Sequence, residues 1–192
     1  QYVEVSTGGS NFGYPSRAYR AAVFDLQNGV VNFSPTSNSA KIEDYGNGWY
    51  RCSVTINIIS GASGFFEFYH SDSPPDVLNT NVSDGDGISG VYIWGAQLEE
   101  GTVATPYIKT TSTVSGAPRF DHDPLTGESL GLLVEEARTN DIASSEVLSS
   151  FSAPGATIGS NELVSPDGLV TADKLKEDSS NGYHRVDFIA ST

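Results

Sequence analysis

WYRCSVTINII, residues 49–59, alternates polar and apolar side chains from residue 51 to residue 58. Successive side chains of a β-strand point to opposite faces, so a period of two predicts a strand with one buried and one hydrated face. The triplet GNG at 46–48 directly precedes this strand, and Asn-Gly is typical of tight hairpin turns because it tolerates positive φ. The stretch therefore indicates an antiparallel all-β protein.

The rest of the chain repeats this pattern of short apolar segments and turns. Tyr, Phe, Val and Ile carry the segments, and the 20 Gly and 9 Pro residues help to interrupt them, which is typical of many short strands. Residues 90–98 are apolar on both faces, which favours a central or interface strand, whereas residues 149–161 are polar and loop-like. Further strands are predicted at 2–5, 19–26, 30–33, 41–44, 65–70 and 184–189, with a hairpin turn at Asn28-Gly29.

Acidic residues dominate the charge of the chain. The 24 Asp and Glu residues outnumber the 10 Lys and Arg residues, and the net charge is −14. Nucleic-acid binding depends on Lys and Arg that neutralise phosphates, so no nucleic-acid partner is expected. An anionic polysaccharide would need a local basic patch. No apolar run approaches the length of a membrane span, so membrane insertion is not expected, and the lack of methionine indicates that Gln1 is not a native start.

Catalytic chemistry has no motif in this chain. Nucleophile–base, zinc and phosphate-loop patterns are missing from the sequence. Glycoside hydrolysis needs two carboxylates facing one cleft, but Glu99 and Glu100 are adjacent and point to opposite strand faces, and a following proline favours a turn at Asp121 and Asp123. Cys52 is the single cysteine, and such a residue in a strand is typically a small buried hydrophobe. We therefore expect that the protein is not an enzyme.

Sugar binding is the ligand chemistry that the aromatic residues favour. Pyranose rings present apolar C–H faces that pack on exposed aromatic rings, and polar side chains nearby bond the hydroxyls. Trp49 follows a tight turn and is expected in the core, and a core or subunit-interface position is the alternative for Trp94. The candidates are Tyr14, Tyr19, Tyr69, Tyr92 and Trp94, with Arg20, Arg51 and Gln97 as polar companions.

Calcium is the one cofactor that the sequence raises. Ca²⁺ prefers clustered hard oxygen ligands, and carboxylates cluster at Asp84 and Asp86 and again at Asp121 and Asp123. The alternative is turn formation, because Asp-Gly makes turns without a metal.

Three longer motifs occur in a fixed order. They are GNGWYRC at 46–52, GVYIWGAQLEEG at 90–101 with ATPYI at 104–108, and RFDHDP at 119–124 leading to GLLVEEARTN at 131–140. In this combination the chain resembles bacteriophage tail-fibre-like and virion structural proteins with repeated, carbohydrate-binding-module-like jelly-roll domains. Such jelly rolls often carry a structural calcium, so the resemblance also favours the calcium hypothesis.

The resemblance implies an antiparallel jelly-roll-like β-sandwich whose units begin with SPDG-like and GYHR-like stretches, here at 165–168 and 182–185. The order is therefore rotated: 1–108 is a sandwich lacking its first strands, 109–146 is a connector, and 147–192 holds the first strands of a second, partial unit. One hypothesis is a window cut from a tandem chain. The other is that 147–192 complete the sandwich of 1–108, within the chain or in a neighbour, because the missing strands would expose an edge.

The resemblance also implies a place and a role. It favours a virion-surface or extracellular location and a homo-oligomer, such as a trimer or a strand-exchanged fibre. The first functional hypothesis is a non-enzymatic fibre or virion-surface structural protein that binds host-surface glycans. The alternatives are a carbohydrate-binding module of a secreted polysaccharide-degrading enzyme or adhesin, and a purely structural fibre or capsid decoration without a ligand.

Overall fold

The protein is all-β. The computed structural model describes residues 1–8, 21–35, 39–57, 65–71, 83–110, 120–122, 129–132 and 139–189, and within these ranges there is no α-helix, only a 3₁₀ turn at Leu148–Ser150. All strand pairs are antiparallel, as the sequence predicts. The strands are β1 (Tyr2–Gly8), β2 (Ala21–Asp25), β3 (Val30–Phe33), β4 (Ser39–Gly46), β5 (Trp49–Thr55), β6 (Phe65–Ser71), β7 (Ser83–Asp84), β8 (Gly90–Ile93), β9 (Phe120–His122), β10 (Ser129–Leu132), β11 (Ala156–Val164), β12 (Val170–Glu177), β13 (Asn181–Gly182) and β14 (Arg185–Ile189).

A five-stranded sheet has the order β14-β6-β1-β2-β3. Strands β2 and β3 form the hairpin predicted at Asn28-Gly29, and Gly29 has a φ of 65°. The Asp25 carboxylate stabilises this turn by accepting hydrogen bonds from the backbone N–H groups of Gln27 and Asn28. All five residues of β2 are buried, so both faces of this strand are covered.

A second group of strands lies against the first sheet. It comprises a three-stranded sheet of order β11-β12-β8 and the β4–β5 hairpin. The hairpin turns at the predicted GNG triplet, where Gly46, Asn47 and Gly48 all have positive φ. The indole N–H of Trp49 donates to the backbone oxygen of Val164, and so joins β5 to the end of β11.

One hydrophobic core joins these elements, which is the arrangement of a β-sandwich. Val3, Phe24 and Val186 enter it from the five-stranded sheet, and Val91 and Leu175 enter it from the three-stranded sheet. The β4–β5 hairpin adds Ile42, Cys52 and Val54 at its margin. Apolar area removed from water is the main stabilising term here, so the two sheets stabilise each other.

The C-terminal segment supplies strands to both sheets. β12 pairs with β8, and Leu175 lies opposite Val91. β14 pairs with β6, and Val186 lies opposite Phe68. In this structure residues of the 147–192 segment therefore complete the sheets of residues 1–108 within one chain.

Strand β8 differs from its prediction. It ends at Ile93 instead of continuing to residue 98, and it lies at the edge of its sheet, not at the centre. Gly95 has a φ of 66°, which turns the chain out of the sheet. Tyr92 is 37% exposed because the outer face of this edge strand is open.

Strand β5 is less one-sided than its alternating sequence predicts. All seven of its residues are half-buried. On its polar face the guanidinium of Arg51 donates to the backbone oxygen of Thr105, so a loop covers the side that was expected to be wet.

One further segment differs from its prediction, and the structure adds a strand pair in the connector. Residues 149–161 were expected to form a loop, but β11 begins at Ala156. β11 is an edge strand with an exposed outer face, so it carries many polar side chains. Its sequence therefore lacks the apolar pattern that predicts a strand. The connector contains its own antiparallel pair, β9 with β10.

We predict that the core depends on β14. Val186 is fully buried and Val103 is 66% exposed, so we expect Val186→Ala to lower the free energy of unfolding by about 2 kcal/mol and Val103→Ala to change it by less than about 0.5 kcal/mol. Urea denaturation of both variants measures the difference. Equal stabilities would mean that β14 does not belong to the folded sandwich.

Candidate functional site

The loop at 94–108, here called the motif loop, contains two of the predicted sugar-binding residues, Trp94 and Gln97. A third, Arg51, contacts this loop from β5. The Gln97 side chain donates to Glu99 Oε1 at 3.0 Å and accepts the backbone N–H of Ile108 at 2.7 Å. Glu99 in turn accepts the backbone N–H and the hydroxyl of Thr105, each at 2.7 Å. Gln97 and Glu99 therefore fasten the loop to itself, and Arg51 fastens it to β5.

Trp94 packs inside the same loop. Its ring lies 4.5 Å from the ring of Tyr107, measured between centroids. Gly95 lies under that ring, and a Cβ at this position would meet Tyr107 at 3.2 Å. The Tyr107 hydroxyl lies 2.6 Å from Ser145 Oγ and donates to Glu146, and burial raises the pKa of this phenol. Trp94 is thus half-buried and packs on Tyr107 within the loop, which favours a packing role over sugar binding.

Asn140 ties the connector to the motif loop. Its Oδ1 accepts the backbone N–H groups of Leu98 and Ile142, and its Nδ2 donates to the backbone oxygens of Ala96 and Ile108, all at 3.0 Å. Asn140 is 3% exposed, so these bonds replace water for backbone groups of the buried Ile142 and of three half-buried residues. Residues from all three sequence motifs therefore meet in one hydrogen-bonded region.

Tyr69 lies on the outer face of the five-stranded sheet, away from the core. It is 2% exposed, and its hydroxyl donates to Glu67 Oε1 at 2.8 Å. Arg185, opposite Tyr69 in β14, donates to Asp187 at 2.6 Å and lies 3.5 Å from Glu67 Oε1. A covered ring offers no face to a sugar, so the prediction that Tyr69 stacks on a sugar does not fit this structure.

The Arg185 guanidinium is fully engaged by its neighbours. It lies 5.5 Å from the ring centroid of Tyr69 and 5.3 Å from that of Tyr183. Burial lowers the pKa of Arg185, but its hydrogen bond to the Asp187 carboxylate and the charge of nearby acidic groups outweigh this effect, so the pKa is raised. This cluster holds β6 and β14 together.

The predicted calcium ligands Asp84 and Asp86 both accept hydrogen bonds from the protein, and those of Asp86 stabilise a turn. Asp86 Oδ1 accepts the backbone N–H groups of Ile88 and Ser89 at 2.6 Å, and Oδ2 accepts the Ser89 hydroxyl at 2.7 Å. These hydrogen bonds lower the pKa of Asp86 strongly. Asp84 accepts from the side-chain amide of Asn181. Within the described ranges no three His, Cys, Asp or Glu side chains form a metal-binding group.

Four predicted site residues lie outside the described residues. For a fifth, only the backbone is described. Asp121 belongs to β9. The four outside are Tyr14, Tyr19, Arg20 and Asp123.

A groove of about 390 Å³ lies on the outer face of the three-stranded sheet. Lys174 and Lys176 come from β12, and cross-strand pairing places Gly159 beside Lys174 and Thr157 beside Lys176. Tyr92 of β8 lies on the other side of Lys174, whose Nζ is 5.9 Å from its ring centroid. We call this the basic groove, and its lining residues are Thr157, Ile158, Gly159, Glu162, Lys174 and Lys176.

The two lysines of the basic groove were missed in the sequence, although their signal was present. Val170–Glu177 has Lys174 and Lys176 two positions apart, on either side of the buried Leu175. A period of two places both lysines on the face opposite the core. Of the predicted sugar-binding residues, Tyr92 is the described one that lies beside this groove with an exposed ring.

Comparisons of the chain with protein-family models, with curated proteins and with solved structures found no match. Among the described residues no helix is long and apolar enough to cross a membrane. The resemblance to phage structural proteins therefore stays a prediction from the three motifs.

We predict that Asn140 stabilises the motif loop through its four hydrogen bonds. Asn140→Ala removes the side-chain partner of four backbone N–H and C=O groups that are buried or half-buried, so we expect the free energy of unfolding to fall by about 2–4 kcal/mol. Asn32→Ala is the control, because Asn32 is exposed on β3 and its loss should change stability by less than about 0.5 kcal/mol. Urea denaturation measures the stability of both variants. If Asn140→Ala lost no more stability than Asn32→Ala, the four hydrogen bonds would not stabilise the motif loop.

We predict that Cys52 is chemically inert in the folded chain. Its side chain packs at the margin of the core, and burial raises the pKa of the thiol to about 12. The thiolate is the reactive species, so at pH 8 only roughly one thiol in ten thousand would be ionised. A disulfide reagent such as DTNB should react slowly with the native chain and quickly in urea. Equal rates would show that the thiol is accessible and unperturbed.

Proposed function

We propose that this chain is a non-enzymatic structural domain of a fibre or virion surface, located outside the cell, that self-associates and presents a glycan-binding surface. The observation that carries the proposal is the meeting of the three motifs. Arg51, the motif loop and Asn140 are joined by direct hydrogen bonds. Residues of the three motifs that give the chain its resemblance to phage structural proteins thus meet in one hydrogen-bonded region of the sandwich.

The position of Glu99 supports a non-enzymatic role. Among the carboxylates considered for hydrolysis, Glu99 accepts two hydrogen bonds from Thr105 and one from Gln97. A general acid or base needs to reach the scissile bond of a substrate. Glu99 instead holds the motif loop.

An exposed apolar patch supports self-association. The tip of the β11–β12 hairpin exposes four apolar side chains, between 39% and 56% of each. Clustered apolar residues of this kind on a protein surface typically mark an interaction site. We call these residues the hairpin-tip patch: Leu163, Val164, Leu169 and Val170.

The alternative role as a carbohydrate-binding module of a secreted enzyme or adhesin would use the same fold. The sequence adjoining this chain in its gene distinguishes the two, because an adjacent catalytic domain would favour the module. The second alternative, a purely structural fibre or capsid decoration, predicts that the chain binds no glycan.

We predict that the purified chain forms oligomers whose mass depends on the hairpin-tip patch. Light scattering at several concentrations should give a mass above the monomer for the wild type. Val164→Ser combined with Val170→Ser should shift the mass to the monomer, because both side chains are more than half exposed and contribute more to association than to folding. Val103→Ser is the control, since Val103 is exposed elsewhere. A wild-type monomer at every concentration would overturn the proposed self-association.

A further inference from the structure

We propose that the basic groove binds acidic glycans, that is, polysaccharides bearing carboxylate or sulfate groups. This inference rests on the glycan-binding part of the proposed function and names its site and its ligand class. Two observations carry it together: the location of the unpaired lysines and the chemistry of the side chains around them.

The distribution of lysines singles out this groove. The chain has four lysines. Lys41 lies 2.6 Å from Glu43, and Lys109 lies 2.5 Å from Glu146, so both are neutralised by carboxylates. Within the described part of the chain, Lys174 and Lys176 have no carboxylate within ion-pair distance. All four lysines lie in the described residues, and the two without a carboxylate partner lie together at one groove.

The register of the sheet fixes the spacing of the groups. Tyr92, Lys174 and Gly159 form one row across the three strands, and Lys176 and Thr157 belong to the next. Strands lie about 4.8 Å apart and alternate residues about 7 Å apart, so two cations and one aromatic ring are held on a rigid surface. A glycan anion could contact both lysines without any rearrangement of the backbone.

The surrounding groups suit a sugar better than a bare anion. Tyr92 exposes its ring beside Lys174, which gives an apolar face for pyranose C–H groups. Lys174 Nζ donates to the backbone oxygen of Ile88 at 3.3 Å, which leaves two of its three donors for a ligand. Thr157 and Glu162 add a hydroxyl and a carboxylate that can bond sugar hydroxyls.

The shape of the groove depends on Gly159. A Cβ at this position would lie 1.8 Å from Glu162 Oε1, so the Glu162 carboxylate rests directly on the glycine. The Glu162 carboxylate adds one negative charge to the two positive charges of the lysines, and the groove keeps a net positive charge. This balance favours a polysaccharide with spaced anionic groups over a polymer of dense charge such as nucleic acid.

Matched polysaccharides test the ligand class. The purified chain is titrated by calorimetry with polygalacturonate and with fully methyl-esterified pectin, and with lightly sulfated dextran and dextran, so that each pair shares its sugar backbone. We expect binding to the acidic member of at least one pair and at least tenfold weaker binding to its neutral partner. Raising the salt from about 0.05 M to about 0.5 M shortens the Debye length from roughly 14 Å to roughly 4 Å and should weaken the binding.

Lysine variants test the site. Lys174→Gln and Lys176→Gln should each weaken binding about fivefold, and the double variant about twentyfold, because each removes one charge-assisted contact. Lys41→Gln removes the same charge from the β4–β5 hairpin and should leave binding within about twofold. Tyr92→Ala should weaken binding to the sugar without changing its salt dependence. Circular dichroism confirms that each variant folds.

The outcomes separate the inference from the proposed function. Binding to a neutral glycan that is unaffected by the lysine variants would overturn the inference and leave a glycan-binding protein. If Lys174→Gln and Lys176→Gln weaken binding no more than Lys41→Gln does, net charge and not the groove is responsible. That result would also overturn the inference. If polyglutamate or DNA bound at the groove as tightly as the acidic glycans, the ligand would be any polyanion. That result would overturn the assignment to acidic glycans. No binding to any glycan would overturn both the inference and the glycan-binding part of the proposed function.

Discussion

The pairing of β12 with β8 and of β14 with β6 is the constraint on which the rest of this structure depends. It places Leu175 opposite Val91 and Val186 opposite Phe68, so the inner faces of both sheets share one core. A slip of one residue would exchange the two faces of β12. The register that buries Leu175 is therefore the same register that keeps the lysines on either side of it at the surface.

Buried backbone groups explain why the motif loop carries so many hydrogen-bonding side chains. The chain leaves the sheet after Ile93, and the backbone of residues 94–108 loses the ladder that a strand would provide. Buried N–H and C=O groups without partners are costly, so side chains must replace the ladder. Asn140 and Gln97 do so, and Tyr107 covers the positive-φ Gly95. The sequence motifs are thus those of a loop that is held in place.

The charge of the chain acts differently at long and at short range. The net charge of −14 repels polyanions at a distance. At physiological salt the Debye length is about 8 Å, so a ligand at the surface senses mainly the nearest groups. Pairing neutralises Lys41, Lys109 and Arg185 with carboxylates. A local basic site can therefore exist on an acidic protein.

The sequence by itself determined the class of fold and the local turns. The strand around Cys52 and the Asn-Gly turns depend on local backbone geometry, which few residues specify, and the structure confirms them. The location of Tyr69 and the end of β8 depended on what packs against them, which no local pattern records. At Asp86 the sequence raised both calcium and turn formation, and the hydrogen bonds from Ile88 and Ser89 to its carboxylate are those of a turn.

The tertiary structure alone decided where the C-terminal strands lie and which charges stay unpaired. The motif order raised the two possibilities for residues 147–192, but strand pairing is a contact between distant residues, and only the folded chain shows β14 beside β6. Likewise the sequence contains Lys174 and Lys176 two positions apart, yet Tyr92 and Thr157 reach them from other strands. A binding surface on a sheet is built across strands, and the sequence lists its residues only along them.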